Sequence, residues 1–192
     1  MCPPPASGAV SIGEVPPAAE AALVEAMGAD GDLVAARFAR GCRAFAARRE
    51  GKIVAYGWLS SGPEWIGELG LEIRPGPREA YIWNCLTLEP HRRQGMFRSL
   101  VLGIAASART QGLGRLWLGS VDHLGARTLA GAGFIPALRF TVQPLPWFRR
   151  LRVWASDEAD SALLAAGRRV LFSGGRPLSG DSVLGRAGRR RH

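Results

Sequence analysis

A strand, a helix and a second strand in the middle of the chain constrain the fold more than any other feature. Residues 80–88 are apolar on both faces with two polar exceptions, which is typical of a strand inside a sheet. In residues 94–111 apolar side chains recur every three or four positions and glycines follow, which predicts an amphipathic helix. Residues 116–121 are again strand-like. Because strands joined by a helix pair in parallel, we expect a mixed α/β fold.

The flanking segments predict the rest of the sheet and its covering helices. Alanine and leucine dominate two stretches near the amino terminus, which predicts helices there. Short apolar runs on both sides of a glycine-containing turn predict a β-hairpin. The predicted helices are residues 17–27, 30–40 and 123–132, and the further predicted strands are residues 42–47, 52–59, 65–73 and 134–142.

Length and composition predict one domain with short extensions. The chain has 192 residues, of which 47% are hydrophobic and 21% charged, as in an ordinary globular protein. We expect a disordered leader at residues 1–8, a folded domain at 9–146 and an arginine-rich extension at 147–192. The extension contains one predicted helix, residues 157–171, followed by a mobile tail.

The cysteines and the lengths of the apolar runs indicate the cellular location of the protein. Cys2, Cys42 and Cys85 are an odd number and lack the C-x-x-C spacing of disulfide-rich or zinc-binding proteins. We therefore expect no metal site and a reducing, cytoplasmic location. Neither a signal segment nor an uninterrupted apolar run of about 18 residues is visible, so we expect no membrane span.

The charge balance raises the alternative of a nucleic-acid-binding protein. The chain has 25 basic and 16 acidic residues, a net charge of +9, and its isoelectric point is about 11.0. However, ten arginines and only four acidic residues fall within residues 149–192, so most of the excess charge belongs to the extension. We therefore do not expect nucleic acid to be the partner, and we keep that function as an alternative.

The junction between the strand at 80–88 and the next helix carries the residues of an anion site. A turn that opens a helix presents free backbone N–H groups and the positive end of the helix dipole. Gly95 allows close approach to the backbone, Arg92 and Arg93 add charged donors, and Ser99 adds a hydroxyl. Neither the P-loop pattern G-x-x-x-x-G-K-S/T nor the dinucleotide pattern G-x-G-x-x-G is present. The sequence predicts a phosphate site of another type.

Motifs in this junction and beyond it resemble the GNAT superfamily of acyl-CoA-dependent N-acyltransferases. Residues 92–97, Arg-Arg-Gln-Gly-Met-Phe, are similar to the family's pyrophosphate loop, Gln/Arg-x-x-Gly-x-Gly/Ala, with Phe97 in place of a small residue. Residues 120–134 resemble the family's strand, short helix and Gly-Phe segment, and the hairpin at 44–57 resembles its second and third strands. The resemblance covers about residues 17–142. It implies the GNAT fold, a central, mostly antiparallel mixed sheet with a splayed parallel strand pair, flanked by helices.

The resemblance also implies the two substrates, acetyl-CoA as acyl donor and a primary amine of a small molecule or peptide as acceptor. The pyrophosphate would lie on the backbone amides of about residues 94–98, and the pantetheine arm along residues 86–88, where the parallel strands splay apart. Asp122 occupies the position of a family asparagine. The implied donor-binding residues are Leu86, Thr87, Leu88, Arg92, Arg93, Gln94, Gly95, Met96, Phe97, Arg98, Ser99 and Asp122.

The catalytic base stays open at the level of the sequence. The amine must lose a proton before it attacks the thioester. Tyr81 occupies the position where some family members have a glutamate, but the reference pKa of a tyrosine is about 10. Glu68, on the preceding predicted strand, is the favoured candidate, Glu79 is an alternative, and Asn84 is a candidate positioning group. A main-chain N–H near Leu88 is expected to stabilise the oxyanion.

Two departures from the family pattern keep other functions open. Leu129 replaces a tyrosine that many members use as the acid, so the chain could be an acyl-CoA-binding or regulatory module without turnover. The arginine-rich extension keeps nucleic-acid binding open. Trp147 and Trp154 in that extension would fold over the sheet, line the acceptor site or meet a second subunit, so a homodimer is a further alternative.

Overall fold

The structure is a computed structural model that describes residues 9–67, 69–120, 123–144, 148–173, 176–177 and 182–186. Turns of 3-10 helix occur at Pro17–Ala19, Gly28–Leu33 and Glu89–His91. The α-helices are α1 (Glu20–Met27), α2 (Val34–Ala39), α3 (Met96–Thr110), α4 (His123–Gly131) and α5 (Ser161–Val170). The strands are β1 (Val10–Val15), β2 (Arg43–Arg49), β3 (Lys52–Ser60), β4 (Glu64–Ile66), β5 (Leu71–Ile73), β6 (Glu79–Thr87), β7 (Arg115–Leu118), β8 (Leu138–Pro144), β9 (Phe148–Ala155), β10 (Leu171–Ser173), β11 (Arg176–Pro177) and β12 (Ser182–Arg186).

These elements form two compact units. The first unit comprises the described residues up to 62 together with residues 78–120. The second unit comprises the described residues of 63–77 and those from 121 onward. The predicted junction between strand and helix lies in the first unit.

A five-stranded mixed sheet, in the order β1-β2-β3-β6-β7, forms the first unit. Neighbouring strands are antiparallel except for β6 and β7, which are parallel and are joined by α3. Their pairing runs from Glu79 opposite Arg115 to Ile82 opposite Leu118. The predicted strand, helix and strand and the mixed α/β fold are therefore confirmed.

Helix α3 covers one face of this sheet because its apolar side chains lie along one side. The sequence predicts Phe97 within this buried stripe, but Phe97 is half-buried and Met96 takes its place. Full burial of a leucine or isoleucine side chain contributes about 1.5 to 3 kcal/mol. The buried side chains of α3 are Met96, Leu100, Val101, Ile104 and Ala108.

The helices α1 and α2 pack against side chains of β3. Leu23 of α1 and Trp58 of β3 are fully buried in one apolar cluster. Phe38 of α2 meets the Trp58 ring edge to face, with ring centroids 5.2 Å apart. The two helical stretches predicted near the amino terminus are thus confirmed, with a turn of 3-10 helix before each.

Two smaller antiparallel sheets and two helices form the second unit. The first of these sheets has the order β11-β10-β5-β4, and the second places β9 between β12 and β8. Helix α5 begins after Asp160, whose carboxylate accepts a hydrogen bond from the Leu163 N–H at 2.7 Å.

The structure differs from the sequence predictions in three places. Residues 65–73, expected as one strand, form the hairpin of β4 and β5, because the connection turns through Gly70 with a φ of +65°. The sequence does not predict β1, whose apolar run is interrupted by Gly13. It does not predict β9 either, and Ser182–Arg186, expected in a mobile tail, pairs with that strand.

Two observations concern membranes and metals. Within the described part of the chain, no helix is both long enough and apolar enough to cross a bilayer. The described residues also contain no group of three or more His, Cys, Asp or Glu side chains that could hold a metal ion.

An ion pair between β1 and β2 should make stability depend on pH. Arg43 donates from Nε to Glu14 Oε1 at 2.7 Å and from Nη2 to Glu14 Oε2 at 2.5 Å, and it also contacts Gln111 and Ser107. The hydrogen bonds from Arg43 hold the pKa of Glu14 below its ordinary value of 4.5. A lowered folded-state pKa stabilises the fold above the unfolded pKa. This stabilisation is lost as the pH falls through the folded pKa.

Replacing Arg43 with methionine should therefore lower the free energy of unfolding by about 1 kcal/mol near pH 7, as for a partly exposed pair. The difference from wild type should shrink as the pH falls below 4.5, because protonation of Glu14 removes the ion pair from the wild type and the variant has none to lose. Chemical denaturation at a series of pH values measures this, with Glu14→Gln as the matched control. A difference that persisted in acid would instead assign the effect to the contacts of Arg43 with Gln111, Ser107 and the Phe45 ring, none of which depends on the charge of Glu14.

Candidate functional site

A tight turn leads from β6 into α3 and places Gly95 at the start of the helix. After Glu89–His91, Arg92 is extended and Arg93 has a φ of +58°. Gly95 precedes the first helical residue with a φ of +77°, a left-handed conformation that glycine adopts without strain. The chain therefore reverses direction here, and α3 begins close to the end of β6.

The start of α3 offers backbone donors to a ligand. The Ser99 N–H donates to the Gly95 carbonyl at 3.0 Å, so the N–H groups of Met96 and Phe97 precede the first helical hydrogen bond and have no acceptor within the helix. The aligned peptide dipoles give this end a partial positive charge. A Cβ atom at Gly95 would have no heavy atom within 4 Å, so open space adjoins the backbone. A phosphate fits this geometry and charge.

Side chains from the turn and from β2 hold the turn in place. Arg49 Nη1 donates to Gln94 Oε1 at 2.9 Å, and Gln94 Nε2 donates to the Pro90 carbonyl at 3.1 Å. Arg92 Nε donates to the Thr87 carbonyl at 3.2 Å. Both polar groups of the Gln94 side chain therefore form hydrogen bonds within the protein, and Gln94 could contact a ligand through its backbone. The exposed residues around the helix start are Arg92, Arg93, Gln94, Gly95 and Arg98.

Beside this turn, β6 has a stretch that pairs on one edge only. Because β7 ends at Leu118, opposite Ile82, residues 83–87 have no neighbouring strand on that edge among the described residues. On the other edge, the pairing with β3 shifts register around Gly57, and Asn84 adopts a φ of +45°. Alternate backbone N–H and C=O groups of residues 83–87 thus lack a strand partner on the open edge. The parallel pair of the predicted fold is therefore confirmed, and β6 continues beyond the last residue of β7.

A close contact between β3 and β6 lies at this bulge. A Cβ atom at Gly57 would lie 2.6 Å from Cys85 Sγ, so the register shift requires glycine here. The same Cβ would lie 3.4 Å from Leu100, which places Gly57 and Cys85 under α3. Burial raises the pKa of the Cys85 thiol to about 12. Cys85 therefore stays protonated at neutral pH and acts as a small apolar side chain.

An arginine of α2 contacts the same stretch of β6. Arg37 Nη1 donates to Asn84 Oδ1 at 2.7 Å. Its guanidinium carbon lies 5.1 Å from the Trp58 ring centroid and 4.6 Å from that of Trp83, within the range of cation–π attraction. Arg37 is only 7% exposed, whereas Asn84 is exposed. Arg37, Trp58, Trp83 and Asn84 are called the Arg37 cluster below.

The Arg37 cluster combines a buried charge with unpartnered donors. Burial lowers the pKa of Arg37, and the Asp30 carboxylate partly opposes that shift, but an arginine remains charged at neutral pH. Burial and Asp30 both raise the pKa of Tyr56, which keeps that phenol neutral. The indole Nε1 atoms of Trp58 and Trp83 are buried and find no hydrogen-bond partner among the described residues. This arrangement favours an anionic or hydrogen-bond-accepting ligand.

The predicted catalytic residues fall in different places. Tyr81 is buried on β6, and its hydroxyl would lie 3.7 Å from a Cβ atom at Gly119. Asn84, on the same strand, belongs to the Arg37 cluster. Glu68 lies outside the described residues, and so does the predicted donor-binding residue Asp122. The structure thus brings Tyr81 and Asn84 to one strand beside its open edge.

Two groups that the sequence suggests for catalysis, the Glu79 carboxylate and the Leu88 N–H, already form hydrogen bonds within the protein. The Glu79 carboxylate is buried and accepts hydrogen bonds from Arg115 Nη1 at 3.1 Å and Trp117 Nε1 at 2.9 Å. The Leu88 N–H donates to the Val54 carbonyl at 3.0 Å, so this amide is not available to an oxyanion. An oxyanion donor would instead have to come from the open edge of residues 83–87.

The remaining predicted donor-binding residues differ in exposure. Leu86 is exposed, and Thr87 Oγ1 is buried without a partner among the described residues. Met96 packs into the core, so it can offer only its backbone to a ligand. The half-buried members of the set are Thr87, Leu88, Phe97 and Ser99.

Arg37 is not predicted as a functional residue, because residues 30–40 are expected to form only a covering helix. A signal was nevertheless present. Val34, Arg37 and Phe38 have the spacing i, i+3 and i+4 that places three side chains on one helix face. Val34 and Phe38 are apolar, so the pattern places a charge on the buried side.

With this geometry established, comparison with known families identifies the class of protein. A family model described as the acetyltransferase (GNAT) family matches residues 17–134. The chain belongs to the GNAT acetyltransferase family, as the motifs in residues 92–97 and 120–134 predict. No curated protein matches the sequence.

Solved structures agree in fold. An aminoglycoside N-acetyltransferase AAC(6')-Iy in complex with CoA is 12% identical, with a TM-score of 0.56, 74% of this chain and 98% of that chain covered. The ribosomal-protein-S18-alanine N-acetyltransferase from Escherichia coli is 15% identical, with a TM-score of 0.52 and coverages of 72% and 86%. An acetyltransferase of Trypanosoma brucei is 16% identical, with a TM-score of 0.51 and coverages of 71% and 100%. At these identities the likeness concerns the fold alone.

Proposed function

We propose that the protein is an N-acetyltransferase that moves the acetyl group of acetyl-CoA to a primary amine of a small molecule or peptide. The observation that carries this proposal is the position of the Gly95 turn beside the open edge of residues 83–87. Amides at the start of α3 and backbone groups of β6 that lack a strand partner among the described residues then lie next to each other. This arrangement suits a ligand with a pyrophosphate at one end and an amide-containing arm beyond it.

The donor would bind mainly through the backbone. The pyrophosphate would accept hydrogen bonds from amides at the start of α3, with Arg92, Arg93 and Arg98 adding positive charge. The pantetheine arm would run along residues 86–88, and its amides would pair with backbone groups on the open edge of residues 83–87, as an added strand does. The structural neighbour AAC(6')-Iy was solved in complex with CoA, which supports an acyl-CoA donor.

Transfer would occur directly between the two substrates in a ternary complex. The amine nitrogen attacks the thioester carbonyl carbon, the carbon–sulfur bond breaks and the CoA thiolate leaves. The nitrogen gives up one proton, and the thiolate takes one from solvent or from an acid. An acetyl-cysteine intermediate on Cys85 is disfavoured because burial keeps its pKa at about 12.

Two residues of β6 and one residue outside the described ranges are the proposed catalytic groups. Glu68 is the favoured proton acceptor, and Tyr81 is the second candidate. Asn84 would orient a substrate, because Arg37 engages its Oδ1 and leaves its amide N–H groups as donors. The buried Leu129 cannot act as an acid.

The test is amine-dependent release of the CoA thiol from acetyl-CoA by the full chain. We expect acetyl-CoA to bind with a micromolar dissociation constant and at least one primary amine to accelerate thiol release. The Glu68→Gln and Tyr81→Phe variants, assayed across pH, identify the group that takes the proton. Binding of acetyl-CoA without turnover of any amine would favour the acyl-CoA-binding module, and absence of binding would refute the proposal.

A further inference from the structure

Arg37 is a buried cation that forms no ion pair among the described residues, and the Asp30 carboxylate acts on it only through its charge. No ion pair among the described residues joins it to a carboxylate, and its hydrogen bond to Asn84 Oδ1 uses one of the five N–H groups of the guanidinium. Charged groups that lose contact with water are normally paired, since burial of an unpaired charge costs several kcal/mol. The two tryptophan faces compensate for only part of that cost. The guanidinium therefore has unused capacity for an anion.

Arg37 contacts the open stretch of β6, so its capacity to bind an anion is close to the proposed site of acetyl transfer. Its hydrogen-bond partner Asn84 is exposed and belongs to the one-sided stretch of β6. Trp83, on the same stretch, is half-buried and carries an indole N–H without a partner among the described residues. A ligand at Asn84 would thus lie beside the Arg37 guanidinium, which donates to Asn84 Oδ1. A carboxylate accepts hydrogen bonds from a guanidinium, which is planar and suited to two-pronged binding of it.

The unused hydrogen-bonding capacity of Arg37 indicates which kind of amine is the acceptor. This step rests on the proposed acetyltransferase function. We infer that Arg37 binds the carboxylate of the acceptor, so that the acceptor is an amino acid, with its amine directed to the open edge of β6. An amine without a negative charge leaves the buried guanidinium unpaired and gains nothing from it. The enzyme should consequently prefer an amino acid to the same molecule with its carboxylate converted to an amide.

The first experiment compares matched acceptors. The standard amino acids and their primary amides are tested one pair at a time for thiol release from acetyl-CoA by the wild-type chain. For the accepted side chain, we expect kcat/KM for the acid to exceed that for the amide by at least about 20-fold, or ~1.8 kcal/mol. Equal rates for the two members, or a preference for the amide, would overturn the inference while leaving the acetyltransferase function intact.

The second experiment tests whether Arg37 is the group responsible. Arg37→Gln keeps an N–H donor for Asn84 Oδ1 but removes the charge, so it should abolish the preference: kcat/KM should fall about 20-fold more for the acid than for the amide. Arg40→Gln removes a charge from the exposed end of the same helix and should leave the preference unchanged. An equal loss for acid and amide in Arg37→Gln would mean that Arg37 only positions Asn84, and would refute carboxylate binding.

A binding measurement makes the inference independent of turnover. Because Trp58 and Trp83 lie close to the guanidinium, an amino acid bound there should change the tryptophan emission of the acetyl-CoA-loaded protein. We expect a saturable change with at least one amino acid of the panel that is absent in Arg37→Gln and reduced in Trp83→Phe. A panel without any saturable response would refute the inference, whether or not amines are acetylated.

Discussion

Replacing Gly95 with leucine should weaken acetyl-CoA binding by at least about 100-fold, or ~2.7 kcal/mol. Gly95 has a φ of +77°, and a Cβ atom there would project into open space next to the first amides of α3. In the proposed complex that space holds the pyrophosphate, so a side chain would displace the ligand and also strain the turn that presents the amides. Calorimetric titration with acetyl-CoA measures the change in dissociation constant.

The matched control for Gly95 stands just beyond the other end of the same helix. Gly112 has the same φ of +77°, and a Cβ atom there also meets no heavy atom within 4 Å. Gly112→Leu should therefore cost the same backbone strain, about 1 to 2 kcal/mol of stability, and leave acetyl-CoA affinity unchanged. Equal losses of affinity in the two variants would mean that strain, rather than occupation of the pyrophosphate site, is responsible.

The sequence was sufficient to predict the elements around this site, because their signals are local. The apolar run at residues 80–88, the three- and four-residue spacing in α3 and the glycine before it each lie within a short window. The order of these signals also predicts the parallel pair β6 and β7. The turn that leads from β6 into α3 was thus predictable to the residue, as Gly95 at the start of α3 illustrates.

The contacts of the Arg37 cluster and of the neighbouring part of β6 are not local and were not predictable. Arg37 and Asn84 are 47 positions apart, and no pattern in either segment relates them. The left-handed conformation of Asn84 arises from the register shift against β3, which depends on strand pairing. The engagement of the Leu88 N–H by Val54 likewise depends on pairing, so the sequence could not exclude it as an oxyanion donor.

The strands that the sequence does not predict correctly were missed for a different physical reason. Residues 65–73 contain strand-forming side chains on both sides of Gly67 and Gly70, and a glycine within such a run also fits a single bulged strand, so the pattern does not show that the chain turns at Gly70. In β9, three arginines interrupt the apolar residues, and the segment resembles a charged extension until β8 and β12 are placed beside it. Strand formation there depends on partners that are distant in sequence.

Gly57→Ala should be among the most damaging single substitutions in the first unit. The added Cβ would lie 2.6 Å from Cys85 Sγ, so either the sulfur or the backbone of β6 must move. We expect a loss of about 3 kcal/mol in the free energy of unfolding, the upper end for overpacking of a core. Because Cys85 adjoins the bulge at Asn84, we also expect slower acetyl transfer. Chemical denaturation and thiol-release assays measure the two effects.

The cause of this loss can be isolated by removing the sulfur. Cys85→Ala makes room for the new methyl group, so the Gly57→Ala, Cys85→Ala double variant should regain about 2 kcal/mol relative to additive losses. Gly103→Ala is the control for overpacking elsewhere, since a Cβ there would lie 2.4 Å from Ile12 Cγ2 on β1, at the edge of the sheet away from β7. It should destabilise the fold without slowing transfer.

If Gly57→Ala and Gly103→Ala slowed transfer equally, the bulge of β6 would have no special part in the reaction. Slower transfer in Gly57→Ala alone, restored in the double variant, would place the reacting groups at the open edge of β6.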